Sequence, residues 1–154
     1  MPNLSPDLLK ACFEHGMETY PEEACGLISG SVDPVEQVST IHRMRNLMDT
    51  FHAQDPQLYP RTNRNAYMID PLEQMKLGRQ LKKQGDRIKI IYHTHPDVGA
   101  YFSKTDQADA LWNGEPRYPE VSYLVCGITQ GQPDGAILVT FNLETRLFDV
   151  VRLC

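Results

Sequence analysis

Residues 87–95, RIKIIYHTH, followed by Pro96, constrain this chain more than any other stretch. β-Branched and aromatic residues fill the run, and proline cannot donate to a ladder, so it reads as a strand that stops at Pro96. Side chains alternate across a strand. His93 and His95 therefore point one way and Thr94 the other. Both imidazoles lie at the C-terminal rim, where open α/β sheets bind ligands. Six residues separate Pro96 from Ser103, which opens a helical segment, and Asp106 stands three positions further on, on the same face. Two histidines and one carboxylate give zinc three protein ligands and leave the fourth position to water, the pattern of a catalytic site. Without the histidines, Ser103 and Asp106 read as a helix cap and its capping-box partner.

The rest of the chain supplies a frame for that strand. Residues 5–18 read as a helix with Ser5 as cap, Pro6 at the first position and Leu8, Leu9, Cys12, Phe13 and Met17 on one face. ACGLISG (24–30) and VEQVSTIHRM (35–44) read as strands joined by a turn. Residues 45–66 are polar with two prolines and read as a long surface loop. A second helix starts at Asp70 and Pro71, with Glu73 as capping-box partner, and ends at Gly85. A third occupies 103–112, and strands are expected at 121–127, 135–141 and 146–151. The expected fold is α/β: one domain over residues 1–154, with a mixed central β-sheet and helices packed on its faces.

Charge and cysteine content remove some classes of function. A net charge of −5 argues against gripping nucleic-acid phosphates. No apolar run approaches the ~20 residues that span a bilayer, and MPNLSPDLLK lacks the basic start and apolar middle of a secretory signal. A cytoplasmic protein without membrane or nucleic-acid partners is expected. The four cysteines form no CxxC pair, so reduced thiols are expected. Cys25, set in ACGLI, reads as a buried structural residue rather than a nucleophile.

His93, His95, Pro96, Ser103 and Asp106 together spell His-x-His-Pro, six residues, Ser-x-x-Asp. This is the signature of the JAMM (MPN+) metalloproteases, and the chain resembles that family, in its compact prokaryotic form, over roughly residues 20–150. Five fixed residues at fixed spacing arise by chance on the order of 10⁻⁵ per chain of this length. The family also carries a glutamate upstream of a CGL-type strand. YPEEACGLISG supplies it as Glu23, with Glu22 as the less suitable neighbour. The RN before the long loop and the IDP that opens the second helix fit the same layout.

The resemblance implies one zinc ion with a catalytic water, held by His93, His95 and Asp106. Glu23 would take the water's proton and pass it to the leaving amine, and Ser103 would donate to the developing oxyanion. It implies a JAMM/cytidine-deaminase-like fold, yet nucleobase deaminases need His-x-Glu and a later Cys-x-x-Cys. Position 95 is His, and Cys126 has no such partner. The implied substrate is the peptide or isopeptide bond after the Gly-Gly tail of a ubiquitin-like or sulfur-carrier β-grasp protein, with residues 97–102 and 45–66 walling the cleft. A non-catalytic scaffold on the same fold and a zinc hydrolase of short peptides are the competing readings. Scaffold relatives typically lose metal ligands, and here none is missing.

Overall fold

A computed structural model describes residues 1–154. Its centre is a six-stranded sheet in the order β2-β1-β3-β6-β7-β8. The strands are β1 (Cys25–Ser31), β2 (Thr40–Met44), β3 (Asp86–Pro96), β6 (Ser122–Thr129), β7 (Gln132–Asn142) and β8 (Leu147–Arg152). Two short strands, β4 (Leu111–Trp112) and β5 (Glu115–Pro116), make a separate hairpin. Only β3 and β6 pair in parallel; the other ladders of the large sheet are antiparallel. The expected mixed sheet is present.

Alternation along β3 builds two cores, one on each face. Ile90 and Tyr92 face α1 (Pro6–Thr19), where they join Cys12, Phe13, Ile28, Leu124 and Leu138. Ile91 faces the other way, with Cys25, Leu27, Ile69, Ala110 and Val125, under α3 (Pro71–Lys83). Burying both faces explains why β1 and β6 read as nearly continuous apolar runs rather than alternating ones. Gly26 is required in β1, because a Cβ there would run into the Tyr92 ring and the His42 carbonyl. No helix is long and apolar enough to cross a membrane.

Helix starts follow the sequence closely. Ser5 Oγ accepts from Leu8 N–H at 3.2 Å and Asp70 Oδ1 from Leu72 N–H at 2.9 Å. Glu73 does not return a bond to Asp70, so the expected capping box is a simple cap. Gly85, at φ 79°, follows the end of α3. Three further expectations change. The strand expected over 35–44 forms only in its second half, as β2. The 45–66 segment is not all loop, for it contains α2 (Met48–Gln54). The helix expected over 103–112 is shorter, α4 (Lys104–Asp109), because Asn113 and Gly114 adopt positive φ and turn the chain into the β4–β5 hairpin.

Candidate metal centre

β3 ends at Pro96, and both histidines sit at its C-terminal end beside the parallel neighbour β6. Their Nε2 atoms face each other at 3.1 Å. Asp106 closes the triangle, with Oδ1 3.3 Å from His93 Nε2 and Oδ2 3.3 Å from His95 Nε2. All three side chains are buried. Bonds of about 2.0–2.1 Å in a tetrahedral arrangement set ligand atoms about 3.3 Å apart, so each of these separations is one that two ligands of a single ion would show. Glu23 also offers a carboxylate oxygen within 4.8 Å of a ring nitrogen on each histidine. Two carboxylates, Glu23 and Asp106, therefore lie within reach of the imidazole pair, and Asp106 meets both rings.

Strand register delivers Glu23 across seventy residues. Cys25 pairs with His93 in the antiparallel β1–β3 ladder. Thr94 N–H donates to the Ala24 carbonyl at 3.0 Å, and Ala24 N–H to Thr94 Oγ1 at 2.8 Å. Residue 23 therefore falls opposite residue 95, and directly opposed residues share a face. The backbone of Glu23 is held as well: its N–H donates to Asn63 O at 2.7 Å and its carbonyl accepts from Asn46 Nδ2 at 3.1 Å. Glu23 is 4% exposed. Glu22 instead accepts from Asn63 Nδ2 at 3.4 Å, outside the triangle.

Ser103 and Asp106 do form the capping box. Ser103 Oγ accepts from Asp106 N–H, and Asp106 Oδ2 accepts from Ser103 N–H, both at 3.0 Å. The cap and the metal reading coexist, because the cap fixes Asp106 in the rotamer that meets both histidines. The Ser103 hydroxyl accepts in the cap and keeps its own proton for donation.

The two imidazoles are oriented differently. His95 Nδ1 lies 3.2 Å from the Gly99 carbonyl, which can only accept, so Nδ1 carries the proton and Nε2 presents a lone pair. Gly99 is at φ 83°, which a glycine adopts without strain. His93 Nδ1 is buried with no hydrogen-bond partner. Stacking holds that ring instead: Tyr67 lies parallel to it at 4.4 Å and 22°. Tyr101 meets the edge of His95 at 5.0 Å.

Charge reinforces the geometry. Burial raises the Asp106 carboxyl, but His93 and then His95 outweigh it and hold the group well below the usual carboxylate range. Burial lowers His93 against the pull of Asp106. For Glu23, burial and then the Asp106 charge push the carboxyl up to about 8, with Arg61 opposing. A carboxylate so placed holds a proton readily, as a shuttle must. The Cys25 thiol is buried and pushed up to about 12, which suits a structural cysteine.

A cleft of about 200 Å³ opens over Glu23, His95, Ser103 and Asp106. Val98 and Tyr101 line it from the 97–102 segment, and Arg61, Arg64 and Asn65 from the 45–66 segment. The two segments expected as walls are therefore the walls. Tyr67, Arg61, Arg64 and Asp109 also line the cleft, and the sequence did not single them out. They belong to no periodic pattern, and Arg61 and Arg64 stand in a segment whose polarity read only as surface loop.

Comparison with known proteins agrees with this architecture. A family described as prokaryotic homologs of the JAB domain matches residues 5–140. The chain is 30% identical over 137 residues to a desampylase of Haloferax volcanii, covering 86% of this chain and 81% of that protein. It is 29% identical over 103 residues to a CysO-cysteine peptidase of Mycobacterium tuberculosis, covering 65% of this chain and 59% of that one. A probable TtuB-protein conjugate cleaving protease of Thermus thermophilus is 29% identical over 121 residues, covering 79% and 68%. Among solved structures, a Desulfitobacterium hafniense protein superposes with a TM-score of 0.69 at 21% identity, covering 99% of this chain and 89% of that one, which shows the fold.

Proposed function

The chain belongs to the prokaryotic JAB-domain family, and on that premise we propose a zinc-dependent peptidase that cuts the peptide or isopeptide bond after the Gly-Gly tail of a ubiquitin-like or sulfur-carrier β-grasp protein. One observation carries the reading: two Nε2 atoms and two carboxylate oxygens converge at 3.1–3.3 Å beside a buried glutamate and a free hydroxyl. His93, His95 and Asp106 are the proposed ligands. A bound zinc acidifies a water and polarises a carbonyl.

The remaining work falls to this chain's own residues. Glu23 receives the water's proton and hands it to the leaving nitrogen, so that nitrogen leaves as a neutral amine. Ser103 donates its hydroxyl proton in a hydrogen bond to the carbonyl oxygen as charge builds there. Val98 and Tyr101 narrow the cleft, which favours a tail without side chains. The names of the relatives support the substrate class, since they refer to conjugates or adducts of small carrier proteins.

The test uses zinc-loaded protein and fusions of ubiquitin-like domains ending in Gly-Gly. Phenanthroline is expected to abolish cleavage, and added zinc to restore it. Glu23→Gln is expected to fold, keep zinc and lose about 10²–10⁴-fold in kcat. An active Glu23→Gln protein would refute the role given to that residue. Protein purified without metal and unable to take it up would favour the scaffold reading instead.

A further inference from the structure

The cleft carries two charges that the chemistry above does not use. Arg61 and Arg64 line it together with Glu23, Ser103 and Asp106. Arg43, Arg87 and Arg146 each pair with a carboxylate, but neither cleft arginine makes an ion pair. The Arg61 guanidinium makes one bond, to the Asn65 carbonyl at 3.3 Å, out of five possible. This on a chain of net charge −5 is not part of a general basic surface.

The segment bearing these arginines is fixed to the glutamate. Asn65 N–H and Ala66 N–H both donate to Thr62 O, at 3.1 and 3.0 Å, and Thr62 N–H donates to Asn65 Oδ1 at 3.0 Å. Asn63 exchanges two 2.8 Å bonds with Asp49 at the start of α2, and its carbonyl accepts from Glu23 N–H at 2.7 Å. A preorganised turn thus fixes the backbone that carries both arginines relative to Glu23, which limits the chain ordering that binding an anion there would cost. Arg61 is near enough to draw down the carboxyls of both Glu23 and Asp109.

We infer that Arg61 and Arg64 form a carboxylate subsite on the leaving-group side of the cleft, so that the preferred bond joins the tail to an amino acid with a free α-carboxylate. The inference rests on the peptidase reading for its sense of direction. Glu23 hands its proton to the leaving nitrogen, so that nitrogen and its substituents lie on Glu23's side, where Arg61 stands. In an α-linked terminal residue the carboxylate carbon is two bonds from the nitrogen, about 2.5 Å away. In an isopeptide the lysine's carboxyl carbon is six bonds away and already tied up in a peptide. Guanidinium matches carboxylate with paired, charge-assisted hydrogen bonds. Glycines on the acyl side offer no competing anion.

Three probes separate the possibilities: acetyl-Val-Gly-Gly-Ala with a free carboxylate, its C-terminal amide, and acetyl-Val-Gly-Gly joined to the ε-amine of acetyl-lysine amide. Binding is measured on zinc-loaded Glu23→Gln protein, and cleavage on zinc-loaded wild type. The acid should bind and react about tenfold or more better than the amide. Arg61→Gln and Arg64→Gln should bring the acid-to-amide ratio to about one, whatever the loss of Arg61 does to both probes through Glu23, and Arg61→Lys should restore part of that ratio. Both side chains are exposed, so the variants should fold. Equal binding of acid and amide, no detectable binding of the acid, a preferred isopeptide, or an equal loss on both probes in the variants overturns the inference and leaves the peptidase reading standing. Discrimination in binding with no cleavage of any probe overturns the peptidase reading and leaves a carboxylate-binding site.

Discussion

The two oxygens of Asp106 carry three contacts, Oδ2 to the Ser103 N–H of the α4 cap and to His95, and Oδ1 to His93, and this sets what its substitution does. Asp106→Asn removes the charge that holds the two rings, and zinc affinity should fall by more than about 100-fold, beyond the usual cost of losing an outer partner of a ligand. Competition with a chromogenic chelator measures this. Tyr67 acts at the same scale but by contact alone. A metal-ligating imidazole usually donates its second nitrogen to a partner, and His93 Nδ1 has none. The stacked Tyr67 ring is what keeps the imidazole in line. Tyr67→Phe should therefore keep zinc affinity near wild type, whereas Tyr67→Leu should lower it about tenfold, a loss of stacking near 1.4 kcal/mol. The same chelator competition reads both. Residue identity told His93, His95 and Asp106 from the sequence, because their spacing spans one strand and the helix after it. Tyr67 was not legible, since no local pattern announces which aromatic ring will meet which imidazole.

At the level of elements, Asn46 decides whether the segment before α3 is a wall or a loose loop. Its Nδ2 donates to Glu23 O at 3.1 Å and to Ala66 O at 2.9 Å, and its Oδ1 accepts from Met48 N–H at 3.1 Å and Met68 N–H at 3.0 Å. One side chain thus ties β1, α2 and the arginine-bearing turn together with all four of its bonds met. Asn46→Ala leaves these partly buried groups without partners, and unfolding free energy should fall by about 2–4 kcal/mol. Urea titration measures the loss, and faster nicking by trypsin at Arg61 and Arg64 would show where the structure loosens. α2 itself was hidden in the sequence. Leu47 at its N-cap makes no side-chain cap bond, and Met48 is its only buried residue, so neither a cap signal nor an apolar stripe marked it. The central strands β1, β3 and β6 were legible because two-sided burial gave them long apolar runs.

Across the whole molecule, the face that does not carry the site brings a pH dependence of its own. His15 on α1 bonds Tyr92 Oη at 2.7 Å, on the side of β3 opposite His93. Burial, then the Arg43 charge, lowers its pKa from 6.5 to about 4, with Glu18 opposing. The folded protein thus holds His15 neutral where the unfolded chain would protonate it. Its contribution is fully present above about pH 6.5 and is lost as pH falls towards 4. Urea unfolding of metal-stripped wild type should show a steeper loss between pH 7 and 5 than His15→Gln. What the sequence determined by itself was whatever nearby residues encode: the alternation that aims two imidazoles one way, the proline that ends the strand, the cap that returns a carboxylate, and the apolar runs of a mixed sheet. The family resemblance had already preferred Glu23 to Glu22; the tertiary structure alone decided how Glu23 reaches the histidines, that Tyr67 stacks on His93, and that two arginines face the cleft. Those outcomes hang on the β1–β3 register and on an irregular segment folded back over it. Register is fixed by long-range pairing and packing, where a one-residue slip moves every side chain to the other face, and no local spacing carries that information.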